Sequence, residues 1–441
     1  MTPRARAVLA AVAALLAGCA HLEPADLAPR TDPTARLKPQ GASPWRVEFG
    51  DPELAVLLRE ADAGSLDVKI ALARVARARA EVAESHARRA VGVTIGGEAA
   101  GGGTDFHDAR SAAAPTFEAA YEVDLWGRLA RAEEAAAHDG AAAEDDVVAA
   151  RLLVAAETVR AYAALRAEQA AAEAAGRRIV IAERGLALTE RRNAEGAAGP
   201  AALVAARNAL AQAQAGLASA QEAQSLQRDR LANLLGRSTV VVPNGPILAA
   251  SLAAPVGAEV VAQRPDVHAA LSRLQAADAR RAQAVAGARP QFQITALLGA
   301  PDASIATLLD ARALAWAVAG SLTQAVLDGG AARARVHAAS AEADVADLQY
   351  RKAVITGWSE VRAALIDVVR AQRDVSAAQT AGEAADRAAR VVDLRRREGL
   401  ADGLDVVAAE AGRAATQDQL QVARLAAVEA RVHLALATGG L

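Results

Sequence analysis

The spacing of apolar residues along this chain changes between two periods. From about residue 54 to residue 90, apolar side chains recur every three to four positions, which predicts amphipathic helix. The predicted buried stripe runs through Leu54, Leu57, Leu58, Leu66, Ile70, Ala73 and Ala76.

Two later segments alternate between apolar and polar residues at every position. They span residues 91–124 and 290–323, and their apolar positions include Val93, Ile95, Phe117, Tyr121, Phe292, Ile294, Leu298, Trp316, Val318 and Leu322. Alternation places the two sets on opposite faces of a strand. Each segment contains two such strands of about ten residues, the length of a transmembrane strand. The sequence therefore predicts two β-hairpins, each with an apolar face and a face of polar or small side chains.

Four strands are too few to close a barrel by themselves. Because open strand edges are not tolerated in lipid, several chains would have to pool their strands. Three chains would supply twelve strands, and two or four chains would also give an even number. Closure alone therefore predicts an oligomer and leaves its size open.

Each predicted hairpin is followed by a very long helical segment. No proline occurs from Gly127 to Glu195, and a helix of that length would extend roughly 100 Å. On the returning segment, Leu203, Leu210 and Leu217 recur in sevens, which is typical of coiled-coil packing. The helices are predicted to reverse at about residues 193–203 and 396–406, where a glycine follows a charged last turn.

The whole arrangement occurs twice. Residues 117–236 recur 203 positions later as residues 320–439, so that Gly127, Glu157, Gly196 and Gly236 match Gly330, Glu360, Gly399 and Gly439. Such a register indicates two copies of one structural unit. We expect the copies to span residues 54–236 and 257–441. Residues 19–53 are then an N-terminal tether and residues 237–256 a linker, both packing around the middle of the helices.

The start of the chain predicts export and lipidation. Residues 1–18 combine two early arginines with a short apolar run, the composition of a secretory signal peptide. The run ends in Leu16-Ala17-Gly18-Cys19, which resembles a bacterial lipobox with Cys19 as the lipidated first residue of the mature protein. Cys19 is the only cysteine, so an intramolecular disulfide is excluded.

Composition and charge narrow the class of function. The chain is 53% hydrophobic but only 2% aromatic, which favours alanine-rich helices in shallow contact. Its net charge is −3, and its alternating charges form no basic patch for nucleic acid. The seven histidines are scattered, and no nucleotide fingerprint or nucleophile motif is present. We therefore expect neither an enzyme nor a cofactor-binding protein.

Taken together, these residues resemble the TolC-like outer-membrane efflux family, in particular its lipoprotein branch. Besides the lipobox, four motifs carry the resemblance, which covers essentially the whole chain. They are Glu122-Val123-Asp124-Leu125-Trp126-Gly127-Arg128, Arg264-Pro265-Asp266-Val267, Leu327-Asp328-Gly329-Gly330, and Gly399 followed by Leu404-Asp405-Val406-Val407.

The resemblance implies a mainly α protein with a small transmembrane β part, forming a homotrimer. Twelve strands would form a barrel in the outer membrane of a Gram-negative bacterium, continued by a tunnel of twelve helices in the periplasm. The trimer would be a passive exit duct for drugs or other small molecules. A periplasmic adaptor protein and an inner-membrane pump of the resistance-nodulation-division type would be its partners.

The same resemblance assigns the gate and the adaptor contact to the helix reversals. The residues are Gly196, Arg396, Gly399, Asp402 and Asp405. Asp405 matches an acidic position that faces the narrow lumen, where three copies would form a ring that attracts cations. A second acidic position of the family is Ala408 here, which weakens the expected cation selectivity.

Two other functions are compatible with parts of the sequence. One is an exit duct for type I protein secretion, which has the same shape but a polypeptide substrate. The other is a periplasmic coiled-coil lipoprotein that acts as a spacer without a pore. A spacer gives no reason for the alternation of apolar and polar residues in 290–323.

Overall fold

The computed structural model describes residues 49–102, 110–248, 258–299 and 315–440. Cys19, most of the N-terminal tether and part of the linker lie outside these residues. The helices are α1 (Pro52–Gly64), α2 (Leu66–Ala87), α3 (Arg128–Ala194), α4 (Pro200–Leu234), α5 (Pro265–Gly287), α6 (Ala331–Arg397) and α7 (Gly403–Ala437). A 3-10 helix spans Ala258–Gln263. The strands are β1 (Gly92–Gly102), β2 (Arg110–Val123), β3 (Gln291–Gly299) and β4 (Ala315–Thr323).

The chain divides into two compact units, each built from both copies of the repeat. Among the described residues, the first unit takes residues 74–144 and 269–351, which include all four strands. The second unit takes most of the long helices, together with α1 and residues 237–248. The predicted combination of long helical hairpins in two repeats with four strands is confirmed.

The strands of the first unit form one antiparallel sheet in the order β1-β2-β3-β4. Cross-strand partners are Ile95 with Phe117, Phe117 with Leu298, and Leu298 with Trp316. Directly opposite residues share a face, so this register collects the apolar positions of four strands on one side. Thr94, Glu118, Gln293, Thr295 and Ser321 lie on the other side, together with Leu297, the one large apolar exception among them.

The described residues of the chain leave the apolar face of the sheet exposed. Trp316 is 78% exposed, Ile95 73% and Val318 63%. The predicted two-faced strands are therefore confirmed, and their apolar side is open to a partner. Among the described residues, no helix is both long and apolar enough to cross a membrane.

Strand β2 contains a proline. Its first residue is Arg110, so that Pro115 lies inside the strand, opposite Gly97. Among the described residues, the pairing of β2 with β3 runs from Thr116 to Val123.

The predicted stripe of residues 54–90 is half right. Leu54, Leu57 and Leu58 are buried in α1, but the helix ends at Gly64 and a new one starts after Ser65. In α2 the buried positions are Val68, Ala71, Val75 and Ala78, whereas Leu66 and Ile70 are 64% and 51% exposed. The break at Ser65 turns a different face of α2 inward.

The core of the second unit lies around the middle of α3. Val159, Tyr162 and Leu165 are fully buried there. The Tyr162 hydroxyl donates to Asp51 Oδ2 at 2.9 Å, and burial raises its pKa. Arg166 donates to the carbonyl oxygen of Pro243. These contacts hold the start of the described chain and the beginning of the linker against α3.

Candidate functional site

The two helix reversals of the second unit contain every predicted gate residue. In the first, α3 ends at Ala194 and Gly196 takes a φ of +72°. Ala197 N donates back to Arg192 O at 2.7 Å. A residue with positive φ and this backward hydrogen bond form the usual glycine C-cap of a helix.

The second reversal has the same backbone. After α6 ends at Arg397, Gly399 takes a φ of +75°, and Leu400 N donates to Arg395 O at 2.8 Å. Leu400 and Arg395 lie 203 positions after Ala197 and Arg192. The glycine C-caps predicted at Gly196 and Gly399 are present in both copies.

The two reversals differ in how the next helix begins. α4 starts with Pro200 after Gly199, which has no side chain to accept a hydrogen bond. α7 starts after Asp402, whose Oδ1 accepts from Leu404 N at 2.7 Å and from Asp405 N at 3.0 Å. Asp405 Oδ2 in turn accepts from Asp402 N at 2.8 Å. This reciprocal pair is a capping box.

Asp402 also connects the two reversals within one chain. Arg192 Nη1, near the end of α3, lies 3.1 Å from Asp402 Oδ2. The backbone hydrogen bonds from Asp405 and Leu404 lower the pKa of Asp402, and Arg192 adds to the effect. The carboxylate is thus charged, capped and paired at neutral pH.

The Arg192–Asp402 pair belongs to a set of salt bridges that link α3 with α7 and its N-cap. The others join Arg178 to Asp418 at 2.8 Å and Arg184 to Glu410 at 2.9 Å. The three arginines belong to α3; Asp418 and Glu410 belong to α7, and Asp402 is its N-cap. We call this set the α3–α7 ladder.

The start of α7 also packs tightly on α3. A Cβ added to Gly403 would lie 2.9 Å from Leu188 Cδ1, and one added to Gly185 would lie 3.2 Å from Val407 Cγ1. Glycines on both helices therefore allow a close approach just above the reversals.

The structure brings Asp402 and Asp405 together, while the other predicted residues are spread over the exposed turns. Arg396 is exposed and forms no ion pair with any described residue, and Gly196 and Gly399 are exposed as well. Sequence reasoning missed Arg192. Its only signal was its place in the charged last turn of α3, since its partner lies 210 residues away. Among the described residues, no group of His, Cys, Asp or Glu is arranged to hold a metal ion.

The chain is similar to known outer-membrane proteins of efflux and export systems. A family model described as outer membrane efflux protein matches residues 57–237 and 256–440. The pyoverdine export outer membrane protein OpmQ of Pseudomonas putida is 27% identical over 413 residues, covering 90% of this chain and 87% of OpmQ. The toluene efflux pump outer membrane protein TtgI of Pseudomonas putida is 26% identical over 330 residues, covering 71% of this chain and 69% of TtgI.

Solved structures are similar over nearly the whole chain. The outer-membrane channel OprN has a TM-score of 0.81 and 28% identity, covering 95% of this chain and 98% of OprN. The outer membrane protein VceC of Vibrio cholerae has a TM-score of 0.80 and 24% identity, covering 90% and 98% of the two chains. The second likeness concerns the fold alone.

Proposed function

Since the chain belongs to the outer membrane efflux protein family and is an outer-membrane efflux channel, we propose that three copies form the exit duct of a tripartite efflux system. Their twelve strands would close into a barrel in the outer membrane, and their long helices would form a tunnel in the periplasm. An adaptor protein and an inner-membrane pump of the resistance-nodulation-division type would deliver the substrate. The duct itself would conduct passively.

One observation carries the proposal: the described residues of the chain leave the apolar face of the sheet exposed. A water-soluble sheet would cover such a face, whereas lipid tails can cover it in a membrane. β1 and β4 each have one neighbour among the described strands. Their outer edges are therefore available to pair with the β4 and β1 edges of neighbouring copies, which is how open edges are removed in a closed barrel.

Helix α6 supports assembly with further copies in the second unit. Ile355, Ile366 and Val369 are 69%, 62% and 66% exposed in the single chain. They lie eleven and three positions apart, which places them along one side of the helix. A second copy packed on this stripe would bury it, as the proposed tunnel requires.

The reversals would form the periplasmic end of the duct. We assign to Gly196, Arg396, Gly399, Asp402 and Asp405 the gate and the contact with the adaptor. Arg396, which has no ion pair in the described chain, is then free to bind a carboxylate of a partner. Opening would require the Arg192–Asp402 pair to separate, because it ties α7 to α3 at the very end of the helices.

The cargo would be drugs or other small molecules, consistent with relatives named for pyoverdine and toluene. Cys19 would carry a lipid anchor in the outer membrane, in addition to the strands. The relatives support the proposed cargo, and the lipobox-like residues 16–19 support the lipid anchor.

Conductance in planar bilayers tests the proposal. We expect the protein in mild detergent to run as a heat-labile trimer and to form ion-conducting pores. Purified protein that stays monomeric and silent would refute the duct. Replacing Asp405 with Ala should reduce cation preference in a salt gradient, with Glu398→Ala as the control at an exposed acid outside the capping box. An unchanged reversal potential in Asp405→Ala would remove this residue from the lumen.

A further inference from the structure

The end of the sheet where β2 stops and β3 begins carries a tryptophan and an arginine in contact. Trp126 follows β2, and Arg289 stands two residues before β3. The indole Nε1 donates to the carbonyl oxygen of Pro290 at 2.8 Å. The guanidinium carbon of Arg289 lies 5.0 Å from the centre of the Trp126 ring. A hydrogen bond and a cation–π contact thus hold ring and cation in one arrangement.

Other arginines near this end of the sheet are already neutralised by carboxylates of the chain. The pairs are Arg88 with Glu84, Arg89 with Glu133, Arg128 with Glu122, and Arg131 with Glu134. Arg289 is exposed, and no carboxylate of the described residues forms an ion pair with it. It therefore presents an uncompensated positive charge at a fixed position.

The surroundings of this cation are apolar on the side of the strands. The apolar face of β2 and β3 ends with the pair Val123 and Phe292. Leu125 and Trp126 follow at once and are 58% and 45% exposed. Tryptophan is enriched where a protein surface passes from lipid tails to headgroups, because its ring is apolar and its N–H is polar.

We propose that Arg289, held against the Trp126 ring, binds the phosphate group of a phospholipid in the leaflet that faces the periplasm. The inference rests on the proposed function, which puts the apolar face of the sheet in the bilayer. A guanidinium whose flat side lies on a ring keeps its N–H edges free, and two of them fit the oxygens of one phosphate. The acyl chains of the same lipid would lie along Leu125 and the ends of β2 and β3.

Titration of phosphatidylglycerol into the detergent-solubilised full-length protein, followed by native mass spectrometry, tests the proposal. Arg289→Gln removes the charge and keeps most of the length of the side chain. Arg131→Gln is the matched control, because Arg131 is exposed and already paired with Glu134 at 2.6 Å. We expect about fivefold weaker lipid binding for Arg289→Gln, the effect of one interfacial cation, and unchanged binding for Arg131→Gln.

A second reporter is the fluorescence of Trp126 itself. Phosphatidylglycerol brominated near the headgroup should quench a component of the emission that Trp126→Phe lacks and that Arg289→Gln weakens. Equal lipid binding by wild type and Arg289→Gln would overturn the inference. Displacement of the lipid by inorganic phosphate alone would also overturn it, since the site would then be one for free anions. If Arg289→Gln conducts normally while lipid binding is unchanged, only this inference fails; a wild type without pores refutes the proposed function itself.

Discussion

The two copies of the repeat end their return helices against different partners. In the first copy, Gly236 has a φ of +67°, and a Cβ on Gly64 would lie 2.2 Å from Leu235 O. In the second copy, Gly439 has a φ of +74° and lies against Arg264, whose Nη1 donates to Ala437 O at 2.9 Å. The end of the return helix is thus held in the first copy by close backbone packing, which a glycine permits, and in the second copy by a hydrogen bond from a buried arginine.

The two copies thus share the glycine at the end of the return helix and differ in the contacts that hold this end. Glu157 and Glu360 occupy matching positions, yet Glu157 pairs with the exposed Arg230, whereas Glu360 pairs with the buried Arg264 at 2.6 Å. Arg264 is also held by Asp266 at 3.0 and 2.8 Å. The second junction therefore depends on charge and the first on close backbone contact.

The largest expected effect comes from breaking the charged junction. Arg264→Ala leaves the Ala437 carbonyl and the Glu360 carboxylate without their donor, and should lower the free energy of unfolding by about 2–4 kcal/mol. Arg230→Ala, at the matching glutamate of the first copy, should cost less than about 1 kcal/mol, because Arg230 is half exposed. Denaturant unfolding in detergent, followed by circular dichroism, measures both; equal losses would refute the contrast.

A methyl group at the first junction should have the next largest effect. Gly64→Ala places its Cβ against a backbone oxygen that cannot rotate away, and we expect a loss of about 1–3 kcal/mol. Gly216→Ala is the control, since Gly216 lies inside α4 with nothing within 4 Å of an added Cβ. That change should stabilise by about 0.5–1 kcal/mol. A neutral Gly64→Ala would show that the two segments are not in close contact.

Removing the N-cap of α7 and adding one to α4 should have a smaller effect. Asp402→Ala removes the capping box and the partner of Arg192, so amide hydrogen exchange should accelerate in the first turn of α7. Gly199→Asp supplies the missing acceptor to α4. It should slow amide exchange there and raise the free energy of unfolding by about 0.3 kcal/mol. Gly199 has an extended backbone and free space for a Cβ. Acceleration in α4 would show that an acidic cap is not tolerated.

The smallest expected effect is that of acidification on amide protection at the two reversals. Because the pKa of Asp402 is lowered in the folded chain, its contribution is complete above the ordinary aspartate pKa of about 3.9 and is lost as the pH falls through the lower folded value. Protection factors in the first turn of α7 should fall over that range, and those of α4 should not. Asp402→Asn should abolish the pH dependence; its persistence would assign it to another group.

The helix ends and the faces of the strands could be predicted from the sequence, because they depend on residues that are close together in the chain. Glycine after a charged turn fixes the C-caps at Gly196 and Gly399, and strict alternation fixes which side chains share a face of the sheet. The spacer hypothesis falls with the family assignment. The face of α2 could not be predicted, since the helix breaks at Ser65, next to Gly64, which packs on the distant residue Leu235. Arg192 and Arg289 act through partners far away in sequence, which no local pattern reveals.

The α3–α7 ladder has a consequence for how such a chain can evolve. The residues of α4 that match Asp402, Glu410 and Asp418 are Gly199, Arg207 and Ala215. A polypeptide with two identical first halves would therefore set Arg207 against Arg184 and would offer no acid to Arg178 or Arg192. The three arginines of α3 thus pair with carboxylates of the second half of the chain. A ring of subunits built from the first repeat alone would therefore lack all three of these salt bridges.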